Sequence, residues 1–271
     1  MGAGKGADVS LTSGKPLALD VENLTLSFGG LVAVDDFSLA LREGELAGLI
    51  GPNGAGKTTV FNILSGIYRP QQGDVRAFGK PLLGLKPNRI THLGLVRTFQ
   101  NIRLFKDLTV ETNIKVAFHH SRPYGIGAAL AQTRRFWDVE RAFEAETERL
   151  MGLLELTHRK GALAGALPYG DQKKLEIARA LATGARILLL DEPAAGMNPQ
   201  ESQWLMQVIR KIRKEFNLSV LLIEHDMRVV MGICERIHVM DHGVKIAEGT
   251  PKEIQADSKV IEAYLGIKKK K

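Results

Sequence analysis

The stretch ELAGLIGPNGAGKTTVFNILSGIY, residues 45–68, constrains this chain more than any other. An almost wholly apolar run ends at Ile50, a glycine-rich turn follows, and a helical pattern begins within a few residues. A strand with no polar face must be covered on both sides. Two later runs share that character, RILLL before Asp191 and LSVLLI before Glu224, with helical patterns between them. The spacing predicts an α/β fold: a phosphate-loop core with a mostly parallel sheet flanked by helices.

The turn itself matches G-x-x-x-x-G-K-[ST] in Gly51, Pro52, Asn53, Gly54, Ala55, Gly56, Lys57, Thr58 and Thr59. Glycines let backbone N–H groups converge on oxygen, and the following helix N-terminus adds partial positive charge, so the pattern predicts a polyphosphate cradle. Lys57 is placed to reach the β- and γ-phosphates of a nucleotide, and the Thr58 hydroxyl to ligate Mg²⁺. Ligands of open parallel sheets sit beyond the carboxyl ends of the strands. Asp191, at such an end, is therefore the expected metal-side carboxylate. Glu192, one position on and facing differently, is the residue to polarise a water in line with the γ-phosphate. His225, after the third apolar strand, is placed to donate to a phosphate oxygen and hold the water.

The remaining chain adds elements without changing the class. LALDVENLTLSF and FSLALREGEL are part-alternating strands bounded by Gly29-Gly30 and Glu43-Gly44, predicting an N-terminal antiparallel β subdomain. The segment 104–165 breaks the α/β layout. In FWDVERAFEAETERLMGLLEL, Val139, Ala142, Phe143, Leu150, Leu153 and Leu154 fall at helical spacing, which predicts an inserted helical subdomain with those six side chains on its buried face. RIHVMDHGVKIAEG reads as a hairpin turning at Asp241–Gly243. The expected organisation is a disordered tail over 1–16 and one phosphate-loop domain over 17–266, with its α/β core at 17–103 and 166–266. A basic tail follows over 267–271.

Composition enters chiefly through what it excludes. The 37 basic and 30 acidic residues give a net charge of +7 that invites a nucleic-acid partner. Four of those charges sit in Lys268–Lys271 and one net charge in residues 1–16, leaving a body of about +2, so no nucleic-acid partner is expected. No run free of Asp, Glu, Lys and Arg exceeds 12 residues, too short for a membrane-spanning helix. The N-terminus lacks the apolar region of a secretory signal, and the single cysteine, Cys234, fits a reducing cytosol.

LPYGDQKKLEIARAL, residues 167–181, precedes RILLLDEP; with GPNGAGKTT, Gln100 in RTFQN and His225 in LLIEHD, the chain resembles the ATP-binding subunits of ABC transporters. DEPAAGMNP, IEHDMRVVMGICERIHVM and the closing IEAYLG are similar to the branched-chain amino-acid importer branch, and the middle insert resembles the longer of its two ATPase subunits. Urea importers and lipopolysaccharide-export ATPases share much of this wording. The resemblance implies hydrolysis of ATP with Mg²⁺ and a head-to-tail dimer with an identical chain or a shorter sibling. It implies membrane permease subunits, an extracytoplasmic substrate-binding protein acting through them, and a place at the cytoplasmic face of the membrane.

Residue by residue, the resemblance places Phe28 against adenine and makes Gln100 the link between Mg²⁺, the attacking water and the helical subdomain. Tyr169, Gly170 and Asp171 fall in the signature segment that faces the partner's nucleotide, and Asn198 stands where many relatives carry an aspartate toward the partner. The signature departs from L-S-G-G-Q: Pro168 replaces a serine that donates to the γ-phosphate, and proline has no donor to offer, which predicts a retained but weakened contact. Two rivals remain at this point. A soluble ABC-type ATPase acting on nucleic acid or ribosomes usually carries two phosphate loops, and a small-molecule kinase leaves residues 167–181 unexplained.

Overall fold

Every residue of β3 (Leu46–Ile50), β7 (Ile187–Asp191) and β8 (Ser219–Ile223) is buried, as runs without a polar face require. A computed structural model describes residues 14–119 and 131–265. Most of the expected N-terminal tail and the terminal lysine run lie outside the described residues. The three strands join β6 (Leu95–Arg97), β9 (Arg236–Asp241) and β10 (Val244–Gly249) in one sheet of order β10-β9-β3-β8-β7-β6, parallel except for β10. Side chains alternate across it. Leu46, Ile50, Leu188, Leu190, Val220 and Leu222 enter one core, whereas Ala47, Leu49, Ile187, Leu189, Leu221 and Ile223 enter the other.

The second core is closed by an antiparallel sheet of order β2-β1-β4-β5, formed by β1 (Leu17–Phe28), β2 (Leu31–Arg42), β4 (Gln72–Ala77) and β5 (Lys80–Pro81). Between the sheets lies α1 (Lys57–Leu64), with Val60, Phe61, Ile63 and Leu64 buried. The predicted hairpin turn sits between β9 and β10, where His242 and Gly243 take φ values of 46° and 86°. Two successive positive values are what a two-residue turn between right-twisted strands demands.

The first core is closed by helices. After α2 (Pro87–His92) and α3 (Val110–Phe118) comes α4 (Arg134–Leu153), whose Phe143 stacks on Phe118 with centroids 4.9 Å apart. The expected buried face of α4 needs correction: Leu150 and Leu154 are buried, Val139, Phe143 and Leu153 are half-buried, and Ala142 is exposed. Thr147 and Met151 lie inside instead. Positions 143, 147, 150, 151 and 154 form one stripe at 3.6 residues per turn, and Ala142 lies about 100° around from it. Thr147 is tolerated there because its hydroxyl donates to the Phe143 carbonyl at 2.6 Å. Then come α5 (Tyr169–Ala182), which packs on α3, followed by α6 (Pro199–Glu215), α7 (Met227–Ile233), α8 (Pro251–Ala256) and α9 (Ser258–Leu265). Among the described residues, no helix is long and apolar enough to cross a membrane.

Candidate nucleotide site

The phosphate loop joins Ile50 to Lys57, the first residue of α1. Gly51 and Gly56 are obligatory here: a Cβ on Gly51 would lie 1.9 Å from the Met240 carbonyl oxygen, and one on Gly56 2.4 Å from that of Ala33. Gly56 also has φ of 104°, a region that disfavours side chains. No side chain caps α1 and no acidic residue occupies its first turn, so its leading N–H groups are left for an anion. Lys57 is 8% exposed, and its Nζ donates to the carbonyl oxygens of Gly51 at 2.7 Å and Pro52 at 2.8 Å. Burial holds this ammonium below the ordinary lysine pKa, opposed by the charges of Glu192 and Asp191. That opposition places both carboxylates within electrostatic reach of the lysine, as the convergence of strand ends requires.

A cavity of about 410 Å³ opens above the loop. Asn53 to Thr59 line it, with Phe28, Ala33 and Glu192 around them. Phe28 stays 45% exposed at its mouth and meets Tyr68 edge to face, with centroids 5.2 Å apart. A side chain this large left uncovered is available to a flat ring.

Asp191 closes β7 at 5% exposure, and Glu192 follows it with φ of 47°, turned out of the strand by a left-handed backbone. The two adjacent carboxylates therefore face different groups. Asp191 Oδ2 accepts from Arg97 Nη2 at 2.6 Å, and Glu192 Oε2 accepts from Gln100 Nε2 at 2.8 Å. His225 is brought to the same place: its Nδ1 lies 3.7 Å from Glu192 Oε2, beyond hydrogen-bond distance. Among the described residues, no group of three or more His, Cys, Asp or Glu side chains could hold a metal ion by itself. One carboxylate and the Thr58 hydroxyl beside the cradle are a hard-oxygen pair that suits Mg²⁺ when phosphate oxygens complete its shell.

Several residues that sequence reasoning missed hold these parts in place. Glu224, 1% exposed, accepts from the backbone N–H groups of Ala194, His225 and Asp226 at 2.7, 3.0 and 3.3 Å, pinning the two loops that follow β7 and β8. Burial raises its pKa. Lys173 of α5 is buried and donates to the carbonyl oxygens of Phe99 and Gln100, both at 3.3 Å, and Glu176 accepts from the Phe99 N–H at 3.1 Å. The segment bearing Gln100 is thereby fastened to α5.

The signature residues stand apart from the phosphate loop. Pro168 is the N-cap of α5, and with no side-chain oxygen to accept from the first-turn N–H groups it leaves no side-chain cap there. Gly170 and Asp171 line a separate cleft of about 310 Å³ with Lys174, Met197, Glu201 and Trp204. Tyr169 is exposed beside it. Asp171 pairs within the chain with Arg159 at 3.3 Å and Lys174 at 3.4 Å. Asn198 has an explanation inside the chain too: its Oδ1 accepts from Gln200 and Glu201 N–H, and Glu201 returns a bond to the Asn198 N–H, a capping box that opens α6.

Fold and site together define a phosphate-loop nucleotide-binding cassette. Comparison with known sequences resolves it further. The ABC transporter family matches residues 34–195, and the family described as branched-chain amino acid ATP-binding cassette transporter matches residues 244–268. LivG of Escherichia coli (strain K12), a high-affinity branched-chain amino acid transport ATP-binding protein, is 46% identical over 254 residues, spanning 92% of this chain and 97% of LivG. BraF of Pseudomonas aeruginosa, with the same description, is 46% identical over 248 residues, spanning 92% and 97%. A crystal structure of an ABC-transporter cassette in its ADP conformation aligns with TM-score 0.78 at 30% identity over 93% of this chain and 99% of that one. The chain belongs to the ATP-binding cassette family of ABC transporters, and its activity is ATP hydrolysis.

Proposed function

We propose that this chain is the motor subunit of an importer for branched-chain amino acids, coupling ATP-driven pairing of two cassettes to a separate membrane permease. The observation that carries the reading is 46% identity with LivG and BraF across nearly the full length of each, joined to the family match at residues 244–268. A lipopolysaccharide export ATP-binding protein, LptB of Haemophilus influenzae, is 32% identical over 248 residues and supports the export alternative less well.

In this reading the loop from Gly51 to Thr59 takes the phosphates, which replace the Gly51 and Pro52 carbonyls as partners of Lys57, and adenine rests on Phe28. Thr58, Gln100 and Asp191 are the side chains that would hold Mg²⁺, which when bound neutralises charge building on the phosphate oxygens. Glu192, oriented by Gln100, accepts a proton from the attacking water. His225 moves the short distance needed to hydrogen-bond the γ-phosphate or that water. Lys57 stabilises the charge of the transferring group. The nucleotide is completed by Tyr169, Gly170 and Asp171 of a second cassette, because one chain presents loop and signature in separate clefts. The surface near Gln100 to Phe105 and the following helical subdomain is where, by resemblance to other ABC ATPases, the permease's cytoplasmic loops dock, and Phe105 is 48% exposed on it. A periplasmic or extracellular binding protein acts through the permease.

The test is recovery of the chain from native membranes with its permease, followed by leucine uptake in vesicles containing the complex. ATP-dependent leucine uptake is expected. A complex that instead moves urea or lipid-linked sugar would overturn the substrate assignment.

A further inference from the structure

Arg97 ends β6 with its side chain 6% exposed, as is that of Asp191. Its fork is shared among three acceptors: Nη2 donates to Asp191 Oδ2 at 2.6 Å, and Nη1 donates to Asn62 Oδ1 at 2.7 Å and Ser65 Oγ at 3.1 Å. Its flat face lies against Phe61 and Phe99, with the guanidinium carbon 5.5 and 5.0 Å from the ring centroids. Asn62 belongs to α1, which starts at Lys57 and Thr58, and Ser65 caps its other end. Gln100 lies three residues beyond Arg97. One guanidinium thus ties the metal-side carboxylate to the phosphate-loop helix and to the strand end that carries Gln100.

A pair this deeply buried is a poor way to gain stability, since desolvation offsets most of the attraction and apolar residues would serve as well. Its cost is visible: Arg97 Nε is buried without a hydrogen-bond partner. What the pair does achieve is orientation. Asp191 is anchored through Oδ2 to a guanidinium that is itself fixed by Asn62 and Ser65.

We propose that Arg97 is a positioning residue for the divalent cation: it fixes one oxygen of Asp191 and leaves the other for the metal. The inference rests on the reading of Asp191 given above.

The test uses the full chain loaded with ADP and titrated with Mn²⁺, free Mn²⁺ being read by electron paramagnetic resonance. ADP affinity in EDTA is measured separately with a fluorescent ADP. R97M should bind ADP in EDTA within about twofold of wild type while Mn²⁺ affinity of the loaded protein falls about tenfold, the lower end for loss of a partner that orients a metal ligand. Because Arg97 acts through Asp191, R97M/D191N should be no weaker for Mn²⁺ than D191N. That double variant also removes both charges together, which protects folding should R97M alone leave too costly a lone carboxylate. R97K, which keeps charge but not the fork, should fall between wild type and R97M. Wild-type Mn²⁺ affinity in R97M or R97K, or full additivity in the double variant, would overturn the proposal. D191N with wild-type Mn²⁺ binding would bring down the metal reading of Asp191 itself, and this inference with it.

Discussion

Glu192 is held by a left-handed backbone and by Gln100, so its position does not depend on its charge. Glu192→Gln should therefore keep ATP affinity, since the new amide oxygen still accepts from Gln100, while steady-state hydrolysis falls roughly 100-fold or more, the usual contribution of a positioned base. Normal turnover in that variant would remove Glu192 from the chemistry. Glu224 behaves differently because its burial raises its pKa. The native state then binds more protons than the unfolded chain between the two pKa values, so this residue's contribution makes stability fall as pH rises from about 4.5 through that window. In Glu224→Gln the slope of the denaturation midpoint against pH should flatten over that window; an unchanged slope would show that the burial of Glu224 is not felt. Glu192, Asp191 and Lys57 were legible in the sequence because they sit at strand ends or in a spaced motif. Arg97, Lys173, Glu176 and Tyr68 were not, since a single charged or aromatic residue carries no local pattern, and their roles exist only through partners dozens of positions away.

Among the elements, those buried on both sides announced themselves by unbroken apolar runs, and the hairpin by its turn residues. β4, written QGDVRA, and the three-residue β6 did not: one is polar with a glycine, the other too short to show a period. The face of α4 was misjudged at Ala142 because alanine fits either side of a helix, whereas Thr147 reads as polar until its hydroxyl is seen bonded to Phe143. The N-terminus of α6 offers a direct test. Asn198→Ala removes two accepted N–H bonds and one half of a capping box, so unfolding free energy from urea titration should drop by about 1 kcal/mol. No loss would mean that the cap is idle and leave Asn198 free for a partner contact.

At the scale of the whole molecule, the phosphate loop and the signature segment occupy different clefts, and the claim that they meet across two chains can be tested by mixing. Gly170 has room for a side chain, its nearest neighbour to a new Cβ being Glu201 Oε1 at 3.5 Å, so Gly170→Arg should fold while obstructing the seam. Lys57→Ala and Gly170→Arg should each be nearly inactive alone. Mixed, they form heterodimers with one intact composite site, and ATPase activity should rise well above either; no recovery would argue against sites shared between chains. The fastening of Phe99 and Gln100 to α5 has a mechanical corollary. The helix that begins at the signature also grips Gln100, which donates to Glu192, so a tilt of that helix would be carried through Lys173 and Glu176 to the contact between Gln100 and Glu192. In the paired-cassette reading proposed above, a second cassette docking at the signature end of this rod would bear on whether Glu192 can activate water.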